Sequence, residues 1–105
     1  MSVEPPGTTA EGLPKPPNAD SAEQAIEVLR LWFIDGKPAA TVWPAFEDPR
    51  WLGAIMADLL RDIAKTYEAA GLMSAARAYH ALHGGLTNAL QSPDYVPGPR
   101  IKPIV

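Results

Sequence analysis

Two histidines, His80 and His83, and two aspartates, Asp58 and Asp62, are residues of this chain whose types and spacing could do chemistry. Imidazoles three apart on a helix share one face and can both reach a metal ion. A metal site also needs a third ligand and outer partners, and no Asp or Glu stands four residues from either histidine. Ordinary helix-surface histidines are therefore expected. Carboxylates four apart can serve acid–base chemistry, but Arg61 and Lys65 each follow an Asp by three residues, which predicts ion pairs on a solvated face. A third group, Trp32, Trp43, Trp51 and Tyr67, could line a pocket for a small molecule or an enzyme substrate, although aromatics at such spacings more often build a core. The chain has no Gly-rich phosphate loop, no metal-ligand cluster and no nucleophile set beside a histidine. No catalytic residue, cofactor or metal is implied. The question of an enzyme stays undecided, with the weight against it.

The elements that must position any site are easier to read. The stretch from Glu27 to Trp43 holds two apolar, β-branched and aromatic runs joined at Asp35-Gly36. An Asp-Gly pair in that setting is a strong hairpin signal, because a type I′ turn needs φ > 0 at both central residues. A helix running through Ile26, Leu29, Arg30 and Phe33 is the competing reading, and Pro38 would have to end it. Counting outward from the turn sets Ile34 against Lys37, Phe33 against Pro38, Trp32 against Ala39, Leu31 against Ala40, Arg30 against Thr41, Leu29 against Val42 and Val28 against Trp43. One face then collects Leu29, Leu31, Phe33, Ala40 and Val42. The other collects Val28, Arg30, Trp32, Ile34 and Trp43. Both faces are largely apolar, so both call for cover, by helices or by more sheet.

Asp48-Pro49 opens a long helix as N-cap and first helical residue, and Gly71 is its expected stop after Ala70. Trp51, Leu52, Ile55, Met56, Leu59, Leu60, Ile63 and Tyr67 fill one half of its wheel, an arc wide enough to predict two contact surfaces with Trp51 buried. Ser74 caps a second helix from Ala75 to about Leu90, before Ser92-Pro93. Gly84-Gly85 interrupts it, yet Tyr79, Leu82, Leu86 and Leu90 keep their phase, which predicts one helix with a kink at most. A shorter helical signal spans Asn18 to Ala25, with Asp20 as N-cap and Glu23 closing a capping box.

Twelve prolines among 105 residues concentrate toward the ends. Residues 1–19 are expected as a flexible proline-rich tail, 20–92 as a single small α+β domain, and 93–105 as a second such tail. Leu13-Pro14-Lys15-Pro16-Pro17 could also be read as a ligand for an aromatic groove on an unidentified protein partner, and Ile101, Ile104 and Val105 as a segment that joins a sheet edge. The fold class expected is thus α+β, a two-stranded antiparallel β-hairpin packed with two α-helices. The chain has no Cys and a net charge of −3 with scattered Lys and Arg, which excludes disulfides and argues against nucleic-acid binding. Neither a signal-peptide pattern nor a run of about 18 apolar residues occurs, so no membrane segment is expected and the cytoplasm is the default location.

The run Glu27-Val28-Leu29-Arg30-Leu31-Trp32, then Asp35-Gly36, Asp48-Pro49, Trp51-Leu52-Gly53 and Ala57-Asp58-Leu59, resembles a small bacterial family described only as a domain of unknown function. The likeness covers about residues 13 to 95, from Leu13-Pro14 to Ser92-Pro93. It implies a small α+β domain and carries no activity, cofactor or site residue with it. Gly84-Gly85 departs from it, since larger side chains are expected there.

A core of roughly this size supplies only about 3–5 kcal/mol, and a two-stranded ribbon has two open edges. Self-association answers both. The function expected is a non-enzymatic interaction module forming a homodimer, with Val28, Arg30, Trp32 and Trp43 as the candidate surface. The alternative is a binder or enzyme built around the four aromatics.

Overall fold

A computed structural model describes residues 12–98 of the chain, and the expectations placed on residues 1–11 and 99–105 lie outside them. The order of elements is β1 (Leu29–Ile34), β2 (Lys37–Val42), α1 (Pro49–Ala69) and α2 (Ala75–Gln91). This is an α+β fold with one two-stranded antiparallel sheet and two helices. The elements fall into two compact units, one holding the hairpin and the other both helices, with the chain passing from one to the other between Trp43 and Pro44.

In the first unit the Asp-Gly turn sets the register. Asp35 has φ 50° and Gly36 φ 81°, the left-handed pair that a type I′ connection requires. The pairing runs Ile34 with Lys37 through Leu29 with Val42, as the count from the turn predicts. The Trp43 N–H donates to the Val28 carbonyl at 2.9 Å, which extends the ladder by one step. Before β1 the structure departs from expectation. Residues 18–23 form turns and bends, and 24–25 are irregular, rather than a helix. Asn18 sits at φ 68°, which a right-handed helix does not admit, and the Asp20 carboxylate takes the Lys15 ammonium at 2.9 Å instead of capping backbone N–H groups. The Asn18 carbonyl accepts from the Ala22 N–H at 3.1 Å and from the Ser21 hydroxyl at 3.4 Å, and neither bond involves Asp20 or Glu23.

In the second unit the Asp48 carboxylate accepts from the Arg50 N–H at 3.0 Å, with Pro49 opening α1. The helix closes at Ala70, and Gly71, at φ 75°, turns the chain out of it. The hydroxyl of Ser74 accepts from the Arg77 N–H, and the Glu68 carboxylate reaches from α1 to the Ala75 N–H at 2.9 Å. Two of the four unpaired N–H groups that begin α2 are thereby satisfied. The helix passes through Gly84-Gly85 unbroken to Gln91.

The two helices fold back on each other. Leu52, Met56, Leu60, Ile63 and Tyr67 form a half-buried stripe on α1, and Ala75, Tyr79, Leu82 and Gly85 are its half-buried counterparts on α2. Ala64 and Ala78, each 2% exposed, are the buried residues of the seam, and their small side chains let the backbones approach near the bend. The wide apolar arc of α1 divides here. Trp51, expected in the core, is 64% exposed, and Ile55 and Leu59 on its side of the helix are exposed too. The physical reason is helical phase: residues 51, 55 and 59 lie one position ahead of the stripe at 52, 56 and 60, so turning the latter toward α2 turns Trp51 away.

Candidate functional site

The ribbon of the first unit gathers the residues that the sequence singles out for interaction. Strand alternation and the observed register place Arg30 and Trp32 on the same face, and the Trp43–Val28 backbone bond adds those two residues to it. Val28 and Trp32 are half-buried, whereas Arg30 is exposed and Trp43 is 52% exposed. A Cβ built on Gly12 would stand 3.7 Å from the Trp32 indole, so the backbone at Gly12 runs beside that ring and helps to cover it. A shallow open depression lies at the end of the ribbon away from the turn, lined by Glu27, Val28, Arg30, Thr41 and Trp43 among others.

The charge in this patch is held in place. Arg30 forks onto Glu27, Nε to Oε1 at 3.0 Å and Nη2 to Oε2 at 3.1 Å. These hydrogen bonds, then the carboxylate's charge, raise the guanidinium pKa further above an already high value, so Arg30 is a permanent cation. Its planar group can keep the carboxylate at its edge and still offer a face to an aromatic ring.

The opposite face presents a second apolar surface, with Leu31 66% exposed and Phe33 and Val42 also exposed. The edges of the ribbon differ from each other. In an antiparallel pair, residues that exchange hydrogen bonds alternate with residues whose N–H and C=O point outward. The Trp43–Val28 bond places Val28 with Trp43, Arg30 with Thr41, Trp32 with Ala39 and Ile34 with Lys37 in the bonded set. Leu29, Leu31 and Phe33 then direct their backbone groups out of the β1 edge, and Pro38, Ala40 and Val42 theirs out of the β2 edge.

The other candidate groups are structural in their contacts. Asp58 binds Arg61 at 2.7 Å, as the spacing predicts, but among the described residues Asp62 makes no corresponding bridge to Lys65. Its backbone carbonyl accepts from the Thr66 hydroxyl at 2.9 Å. The His83 ring stacks on Tyr79, with centroids 6.3 Å apart. Among the described residues no three His, Asp or Glu side chains converge as a metal site would require. Trp51 and Tyr67 both lie on α1, and their separation in sequence places them about 24 Å apart along its axis. They do not share one pocket of small-molecule size. Sequence reasoning missed three charged contacts: Glu27 with Arg30, which are three apart but at the start of a strand rather than in a helix, and Lys15 with Asp20 and Glu68 with the Ala75 N–H, which depend on the paths of loops.

A two-stranded ribbon with one charged, aromatic face and a helical hairpin define a small α+β domain. The chain belongs to the domain of unknown function family DUF5076, whose model matches residues 12–94. Among solved structures it is similar to one described as "a putative pyruvate dehydrogenase from the photosynthetic bacterium Rhodopseudomonas palustrus CGA009". Identity is 27% and the TM-score 0.64, over 91% of this chain and 99% of that one. No curated protein matches.

Proposed function

We propose that this protein is a non-enzymatic interaction module that works by associating with itself, as a homodimer in the bacterial cytoplasm. The observation that carries the reading is the exposure of the ribbon: Leu31, Phe33, Ile34, Val42 and Trp43 are all exposed on a sheet of two strands. Leu31, Phe33 and Val42 share one face and Ile34 and Trp43 the other, so both faces of the ribbon present apolar side chains to water, and two strands alone are marginal. Val28, Arg30, Trp32 and Trp43 make up the face that gives the association its polarity and aromatic contact. The family match spans both compact units, which supports taking residues 20–92 as one functional domain with proline-rich tails on either side. A bacterial setting is supported by the Rhodopseudomonas relative. Among the described residues no helix is long and apolar enough to cross a membrane, which is compatible with the location proposed.

The name of that relative raises 2-oxo acid oxidation as a second activity. Such chemistry needs groups that converge to bind and polarise a carboxylate and carbonyl; Lys15, Arg30, Arg50 and Arg61 are each occupied by a carboxylate close in sequence, and Lys37, Lys65 and Arg77, which form no ion pair among the described residues, stand on three separate elements. The interaction reading is therefore the one carried forward. Light scattering on the full chain across a concentration series tests it. The expected mass is about twice the 11.3 kDa of the chain at tens of micromolar. A mass that stays near 11.3 kDa there overturns the proposal.

A further inference from the structure

The ribbon is asymmetric in a way that selects both the edge and the register of association. We infer that two copies join through their β1 strands, antiparallel about Leu31, to form a four-stranded sheet ordered β2–β1–β1–β2. This rests on the self-association proposed above and specifies its geometry.

The choice of edge follows from the outward-pointing backbone groups. On β1 these belong to Leu29, Leu31 and Phe33, all of which have an N–H and a C=O to offer, and no backbone bond from a described residue outside the hairpin occupies them. On β2 they belong to Pro38, Ala40 and Val42, and Pro38 has no N–H. Pairing β2 with its own copy about Ala40 would oppose Pro38 to Val42 twice, losing a hydrogen bond each time. The β1 edge forms three complete pairs, Leu31 with Leu31 and Leu29 with Phe33 twice, with two bonds in each. Proline on an outer edge is a usual block to strand addition, and only β2 carries one.

The register follows from the side chains between those pairs. With Leu31 on the two-fold axis, Arg30 of each copy lies directly opposite Trp32 of the other, and Val28 opposite Ile34. A cation meets an aromatic face on the side where the ribbon holds its one arginine, while Leu29, Leu31 and Phe33 of both copies merge into one apolar surface. Shifting the centre to residue 30 sets Arg30 against Arg30, a like-charge pair at the closest approach between strands. Shifting it to residue 32 opposes Leu29 to Asp35 of the turn and loses the outermost pairs. The Arg30–Glu27 fork is exposed and holds only the edge of the guanidinium, so it is compatible with the contact.

The chain has no cysteine, so single ones can be introduced as probes. Opposed residues of a bonded antiparallel pair have Cα atoms about 5.5 Å apart, within disulfide range. Full-length Leu31→Cys is expected to form a covalent dimer under mild oxidation at low micromolar concentration, and Ala40→Cys, on the outer edge of β2, to remain uncrosslinked. Leu31→Pro removes an outward N–H without touching the hairpin's own ladder, and light scattering is expected to show it as a monomer while the hairpin and helices keep their circular dichroism. Should Leu31→Pro lose its fold, the cysteine pair decides alone. Cross-linking at residue 40 instead of 31, with a doubled mass for the parent, overturns the β1 assignment and leaves self-association standing. A parent that is monomeric, with neither variant cross-linked, overturns both.

Discussion

At the scale of single residues, Asp48 and Trp51 show opposite consequences of standing at the start of α1. Hydrogen bonds from the Arg50 side chain, and secondarily from its backbone N–H, hold the Asp48 carboxyl below its ordinary pKa. A depressed folded-state pKa means that the carboxylate's contribution is complete above the unfolded value, near 3.9, and is lost as pH falls through the folded one. Asp48→Asn keeps a cap oxygen but cannot ionise. Its melting temperature is expected to lie below the parent's at pH 7, with the gap closing as pH is lowered toward 3. A gap independent of pH would show that ionisation of Asp48 contributes nothing. Trp51 has the bulk of a core anchor but the exposure of a surface residue. Trp51→Ala is accordingly expected to change stability by less than about 0.5 kcal/mol, so that urea melts of parent and variant nearly coincide.

At the scale of elements, α2 is held by its contact with α1 and weakened by its own glycines. A Cβ built on Gly84 or Gly85 meets nothing within 4 Å, so neither glycine is required by packing or by backbone conformation. Helical glycine costs about 0.5–1 kcal/mol relative to alanine. Gly84→Ala and Gly85→Ala are each expected to raise the urea midpoint by an amount of that order, and a fall in either case would mean that a backbone approach depends on the missing side chain. Ala78 is the reverse. It is 2% exposed in the seam, and Ala78→Leu is expected to destabilise by about 1–3 kcal/mol through overpacking, measured in the same melts.

At the scale of the whole molecule, Ala64 and Ala78 are the buried apolar residues among those described, and they are small. The association proposed above would cover part of the apolar surface that the ribbon exposes, and so would link its stability to self-association. Association linked to folding makes the melting temperature depend on concentration. For a chain folded only as a dimer, each tenfold dilution is worth about 1.4 kcal/mol. Differential scanning fluorimetry from sub-micromolar to about 100 µM is therefore expected to show a steady rise in melting temperature. A midpoint constant across that range would remove the link between folding and self-association.

Local chemistry was enough to specify the hairpin and both helix starts. Asp35-Gly36 admits few turns other than I′, the turn sets the register by counting, and Asp48-Pro49 and Ser74 place the helix starts through bonds made within three residues. Periodicity likewise carried α2 across Gly84-Gly85. Signals that depend on a choice between competing partners were not legible. Asp20 could cap a turn or pair with Lys15, and only the path of the preceding loop decided for Lys15. The apolar arc of α1 could bury either of two adjacent stripes, and the seam with α2 chose Leu52, Met56 and Leu60 over Trp51, Ile55 and Leu59. Val28, Arg30, Trp32 and Trp43 could be assigned to one face from alternation alone, but their exposure, and that of Leu31 opposite, was a property of the folded chain. Burial is decided by which surfaces meet, and a sequence specifies which residues share a face without specifying what that face will touch.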